Sequence, residues 1–202
     1  MAVSGAELRP FASIADYAAC VELQRETWGE AFSELVPASV LKISQKVGGV
    51  AAGAFDGAGR LLGFVWGISG VRGGRLAHWS HMLAVRPEAR DGGLGTRLKL
   101  YQRDLLLPLG VESVLWTYDP LEARNAHLNL NRLGAEVEEY VEEMYAGEFG
   151  SELARGIGTD RFIVAWPIAG DRVRRALAGE LKGERERFRA APVVNAEAGR
   201  PL

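Results

Sequence analysis

The chain has 202 residues, is 48% hydrophobic and carries 24 basic against 26 acidic side chains, a formal charge of −2. That size fits one domain with an ample core, and the near-neutral balance, with no long basic run outside the C-terminal end, argues against nucleic acid as a partner. A single cysteine, Cys20, excludes an internal disulfide and a cysteine-based zinc site, and three histidines without metal-ligand spacing give no metal signal.

Residues 8–12 suit a short first strand. Ser13-x-x-Asp16 then reads as a capping box that opens a helix running to about Trp28. Tyr17, Cys20, Val21, Leu23 and Trp28 give this helix an apolar face. Cys20 on that face reads as a core filler, because no base is placed to make it a nucleophile. Residues 29–46 suggest a loop and a second helix. The small-residue run 47–55 reads as a strand, turned by residues 56–60 into a second strand over 61–69, a hairpin. A turn over 70–74 leads to a third consecutive strand, 75–85.

This strand ends in the apolar run His81-Met82-Leu83-Ala84-Val85, stopped by Arg86-Pro87. Arg90-Asp91-Gly92-Gly93-Leu94-Gly95-Thr96 follows, and behind it a helix-forming stretch over 94–107. A strand, a glycine-rich turn and a helix start make an anion site. The first-turn amides lack intrahelical partners, the helix dipole points its positive end at them, and glycines let an anion approach the backbone. The device should hold a phosphate or pyrophosphate. No Gly-Lys-Ser/Thr follows, which excludes the P-loop. Leu98 stands where the dinucleotide fingerprint needs its third glycine or alanine.

Further on, Pro108-Leu109-Gly110 breaks the chain and residues 111–118 read as the next strand. Asp119, Pro120 and Glu122 form a second capping signature, with Asp119 as N-cap, for a helix ending at Gly134. On a helical wheel Ala123, Ala126, Leu130 and Leu133 share the core side, with Asn125, Asn129 and Arg132 opposite. Residues 135–145 and 162–168 read as a strand hairpin joined by a polar, glycine-rich connection. A charged helix over 171–189 and a tail to 202 follow. The expected division is a main domain over 1–168 and a C-terminal helix and tail over 169–202.

The strand–Arg-x-x-Gly-x-Gly–helix register (Arg90, Gly93, Gly95), with Leu-x-Val-x-Pro before it, resembles the pyrophosphate loop of the GNAT superfamily of acyl-CoA N-acyltransferases. From 61 to 168 the order of elements fits that fold. The resemblance implies an α/β (α+β) architecture: a mixed, mostly antiparallel sheet flanked by helices and splayed at the CoA site. More specific runs look like a bacterial branch associated with N-acylamino-acid racemases and amino-acid N-succinylation; they include Trp79 to Pro87, Leu98-Lys99, Gln102-Arg103, Trp116 to His127 and Gly158 to Arg161. One departure matters. Many GNAT enzymes carry a tyrosine four residues before the glycine that closes the post-strand helix, placed to protonate the departing thiolate. Here that position is Leu130. A thiol with a pKa near ~8.5 already leaves tolerably as thiolate, and a general acid adds about 10²-fold. The enzyme reading survives.

What the resemblance implies is attack by a primary amine on the thioester of acetyl-CoA or succinyl-CoA, a co-substrate, with no metal. The acceptor would be a small-molecule amine, an amino acid by expectation. Backbone amides of Arg90, Asp91, Gly92, Gly93, Leu94, Gly95 and Thr96 would hold the pyrophosphate, and an amide among Leu83, Ala84 and Val85 would polarise the carbonyl. His81 is the leading base, since its strand should flank the thioester and imidazole titrates near operating pH. By strand alternation it shares a face with Leu83 and Val85, while His78 shares the other with Ser80 and Met82. The other reading of His81 is a structural histidine bonding a neighbouring strand. Arg124, Asn125, Arg155 and Arg161 are candidate acceptor contacts, guanidinium being the fork that meets a carboxylate with two bonds.

Two other readings stand beside this one: a protein N-acetyltransferase, and a non-catalytic acyl-CoA-binding protein of the same fold. A homodimer is compatible with all three. Neither a signal peptide nor an apolar run of membrane-spanning length appears, so no membrane partner and a cytoplasmic setting are expected.

Overall fold

The computed structural model describes residues 5–145 and 158–181. Seven strands form one sheet: β1 (Glu7–Pro10), β2 (Val50–Phe55), β3 (Leu61–Arg72), β4 (Arg75–Val85), β5 (Ser113–Tyr118), β6 (Glu136–Val141) and β7 (Arg161–Pro167), in the order β1-β2-β3-β4-β5-β7-β6. Every neighbouring pair is antiparallel except β4 and β5. That single parallel contact is forced by the connection between them, a loop and a helix rather than a tight turn.

Alternation along the strands feeds two cores, one on each face. Phe64, Trp66, Met82 and Ala84 pack with Phe11, Tyr17, Leu23 and Leu41 under α1 (Ile14–Trp28) and α2 (Ala38–Lys46). Val65, Val114, Trp116, Val164 and Trp166 pack on the opposite face with Leu94, Leu98 and Leu106 of α3 (Leu94–Leu106). Each fully buried aliphatic side chain of this kind contributes about 1.5–3 kcal/mol. The helix after β7, here α5 (Asp171–Leu177), belongs to the second core through Val173.

The capping box at α1 forms as expected. Asp16 N donates to Ser13 Oγ at 3.1 Å, and Ser13 N donates back to Asp16 Oδ2 at 3.1 Å. Cys20 is buried, with its thiol pushed up to about 12 by burial. β3 runs further than its sequence suggests, to Arg72, because the turn narrows to Gly73-Gly74 and lets Val71 pair with Leu76.

The segment after β5 departs most from expectation. Asp119 does not cap a helix: its Oδ1 accepts from Leu121 N at 2.8 Å, closing a local turn that delays helix entry. Glu122 is the N-cap instead, and α4 (Ala123–Ala126) lasts one turn before widening into a π-helix over His127–Arg132. The wider turn, marked by Leu133 N donating to Leu128 O, breaks the 3.6-residue wheel. Asn129, expected across from the core, is buried; Ala123 is exposed.

Candidate active site

β4 and β5 pair over three residues only, Ala77 with Ser113, His78 with Val114 and Trp79 with Leu115. Beyond them β4 continues to Val85 against β3, and β5 continues to Tyr118 against β7. The sheet therefore splits, leaving two unpaired strand edges that face each other. At the mouth of the split lies the glycine-rich loop. Gly93 is the N-cap of α3 in a left-handed conformation (φ 74°), and Asp91 beside it also takes a positive φ of 63°. A Cβ at Gly93 would meet no protein atom within 4 Å, so it would strain the backbone and project into open space. The first helical bond runs from Arg97 N to Gly93 O, which leaves the amides of Leu94, Gly95 and Thr96 ahead of the helical ladder.

These elements wall a groove of about 600 Å³. Val85, Arg90, Asp91, Gly93, Leu94, Gly95 and Thr96 line one side, and Glu122, Arg124, Asn125 and Arg132 the other. Arg90 is oriented by Nε donating to Val85 O at 3.0 Å. Arg124 and Asn125, expected as acceptor contacts, line this groove beside the glycine loop; Arg124 Nη2 pairs with Asp91 Oδ1 at 2.5 Å, both side chains exposed.

β4 itself holds a correction. Trp66 pairs with Met82 and Gly67 with Ser80, so His81 is an extra residue bulged out of the ladder. The bulge resets the alternation. Met82 and Ala84 lie in the core beneath α1 and α2, whereas Leu83 and Val85 pack against the α3 core. His81 thus does not share a face with Leu83 and Val85. Its ring stands edge-on to Trp66, 5.4 Å between centroids, while the residue keeps solvent exposure. Loss of water around the ring lowers its pKa from the ordinary imidazole value, with the Glu34 carboxylate opposing, which favours the neutral ring that can accept a proton.

The same face carries Thr117 of β5, whose Oγ1 meets Tyr145 Oη at 2.8 Å. Arg161, opposite Val141 at the start of β7, sets its guanidinium 5.5 Å from the Tyr145 ring centroid and donates to Asp160 O at 2.7 Å. Arg155 lies outside the described residues. Tyr145 carries no sequence signal, being joined to Thr117 only through the sheet.

A polar cluster behind the split is the other feature missed. Lys99, Gln102, His78 and Ser80 are all buried between α3 and β4. A signal for it exists: Leu94, Leu98, Gln102 and Leu106 form one i+4 row, and glutamine interrupts it. Burial holds Lys99 down at about 7, and burial with the Lys99 charge holds His78 down at about 3. Among the described residues no group of three or more metal-ligating side chains gathers, and no helix is long and apolar enough to cross a membrane.

No family model and no curated protein sequence matches the chain. Solved structures do. The NatC complex bound to Gag peptide and CoA superimposes with a TM-score of 0.63 at 17% identity, over 81% of this chain and 98% of that one. The ribosomal-protein-S18-alanine N-acetyltransferase from Escherichia coli gives 0.60 at 18%, over 82% and 97%. A GNAT superfamily phosphinothricin acetyltransferase from Sinorhizobium meliloti in complex with AcCoA gives 0.61 at 20%, over 80% and 88%. The fold is that of GNAT acetyltransferases.

Proposed function

We propose that the protein is an acyl-CoA-dependent N-acyltransferase that moves an acetyl or succinyl group to the amine of a small molecule, an amino acid by preference. The observation that carries the reading is the split between β4 and β5 with the glycine loop at its mouth and the bulged His81 on its far face. In this reading the amides of Leu94, Gly95 and Thr96, with Arg90 beside them, take the pyrophosphate of CoA. The acyl arm enters the split, where an amide of the unpaired β4 edge, Leu83 to Val85, donates to the thioester oxygen as it gains charge.

The acceptor approaches from the face of His81 and Glu34, where a carboxylate favours a cationic amine. His81 takes the ammonium proton, directly or through one water. The amine lone pair then attacks the thioester carbon, the C–N bond forms and the C–S bond breaks; the second proton, shed by the now cationic nitrogen, goes to the departing thiolate, which leaves as CoA thiol. A carboxylate on the acceptor or on a succinyl donor is the natural partner of Arg161, which shares that face with Tyr145.

Thiol release from acetyl-CoA and succinyl-CoA with a panel of free amino acids, their amides, simple amines and short peptides tests the reading. The expected result is amine-dependent release, fastest with free amino acids. Preference for peptides would make the protein a protein N-acetyltransferase. Tight acyl-CoA binding without amine-dependent release would make it a binding protein.

A further inference from the structure

The cluster behind the split is a chain of hydrogen bonds with one polarity. Lys99 Nζ donates to Ser80 Oγ at 2.7 Å, and Ser80 donates on to Gln102 Oε1 at 2.9 Å. Gln102 Nε2 meets His78 Nε2 at 3.0 Å, His78 Nδ1 meets Ser69 Oγ at 2.9 Å, and Ser69 donates to Gly48 O at 2.6 Å. The Gln102 amide nitrogen can only donate and the Gly48 carbonyl can only accept, so these two groups fix the directions at His78 and Ser69 between them. His78 must carry its proton on Nδ1 and present Nε2 as acceptor. Gly67 makes the room: a Cβ there would fall 2.3 Å from His78 Nε2.

The position of Lys99 is what calls for explanation. Ser80 is the residue just past the last β4–β5 pair on β4, and Trp116 is its counterpart on β5. Lys99 Nζ touches both, with the Trp116 ring centroid 3.9 Å away. It closes the apex of the split. Among the described residues no carboxylate pairs with it, and an unpaired buried cation is costly to keep. Its neighbour Ser80 also directly precedes the bulged His81. At the other end Gly48 follows α2, where Ser44 Oγ accepts from Trp66 Nε1 at 2.8 Å, and Trp66 is the ring against which His81 stands. The chain thus runs from the helix of the glycine loop, through β4 and β3, to the structure that supports His81.

Resting on the acyltransferase reading, we propose that Lys99 is a positioning residue. Through this one-way chain it holds the apex of the split, and with it the β4 bulge, in the geometry that turnover requires, at a cost in stability. The experiment pairs Lys99→Met, which keeps length and removes the charge, with Ser80→Ala, which cuts the chain at its first link. In both, kcat should fall about 10-fold or more while KM for acyl-CoA stays within about 2-fold, since misplacement alone can slow chemistry by as much as ~10²-fold. Lys99→Met should melt no lower than the parent. By ¹⁵N NMR the parent's His78 should be the Nδ1–H tautomer, with Nε2 as acceptor.

Unchanged kcat in a folded variant, a KM rise that accounts for the whole loss, a lower melting temperature for Lys99→Met, or a parent His78 protonated on Nε2 would overturn the proposal. A parent without amine-dependent thiol release would overturn the acyltransferase reading and this role with it. An active parent with unaffected variants overturns this role alone.

Discussion

His81 stands where one residue too many on β4 must leave the ladder, and its chemistry follows from that position. The bulge gives it an aromatic wall and partial solvent access, and desolvation favours its neutral ring. If it takes the proton of the acceptor ammonium, His81→Ala lowers kcat by about 10²-fold or more and leaves acyl-CoA affinity nearly unchanged. Steady-state kinetics with a calorimetric titration checks both halves; a variant with the parent's rate and pH profile returns His81 to a structural role. Arg161→Lys keeps the charge and loses the fork. Recognition of a carboxylate predicts a higher KM for a free amino acid and little change for its amide. Equal effects on both substrates, or none on either, would remove Arg161 from that role. The identity of His81 as a candidate was legible in the sequence, but its face was not. Alternation is a local rule, and the bulge depends on how β3 chose its register.

Elements whose signals are local formed as read. Ser13 and Asp16 close the box at α1, and Asp16 in addition takes two bonds from Arg9, at 2.8 and 3.0 Å, and one from Ala12 N at 2.9 Å. The Arg9 guanidinium, aided by those amides, holds the Asp16 carboxyl well below the usual carboxylate range. A depressed carboxylate contributes stability that is whole above its unfolded pKa near 3.8 and is lost as pH falls below it. Asp16→Ala should therefore cost about 2–3 kcal/mol at pH 7 by denaturant unfolding and lose part of the parent's acid sensitivity. A variant as stable as the parent would show the box to be ornamental. The segment after β5 illustrates the opposite case. Asp119-Pro120 is an equally good capping signature on paper, but Asp119 satisfied Leu121 N first, and no wheel anticipates a π-turn. Arg124 and Asn125 line the groove beside the glycine loop.

At the scale of the whole molecule, the order of strands and helices was legible because each element type is set by its own residues. The split was not. It exists where β4 and β5 stop pairing after Trp79 and Leu115, a property of two residues that stand 36 positions apart in the chain. The lysine that closes its apex was equally hidden, apart from the glutamine interrupting the apolar row of α3. In the proposed function these parts would form one path: amides at the mouth that hold the anion, two unpaired strand edges along the split, and His81 beyond it as proton acceptor. Gly93 is the point where the proposed cofactor site is probed most simply, since a side chain there strains the backbone and enters the groove, while Gly92 beside it keeps a negative φ and has free space around it. Calorimetric titration of CoA into the parent, Gly93→Val and Gly92→Ala is the most direct test. We predict one site per chain in the parent, affinity within about 2-fold in Gly92→Ala, and at least ~10-fold weaker binding, about 1.4 kcal/mol, in folded Gly93→Val. Equal affinity for CoA in the parent and Gly93→Val, or no binding to the parent at all, would contradict the account.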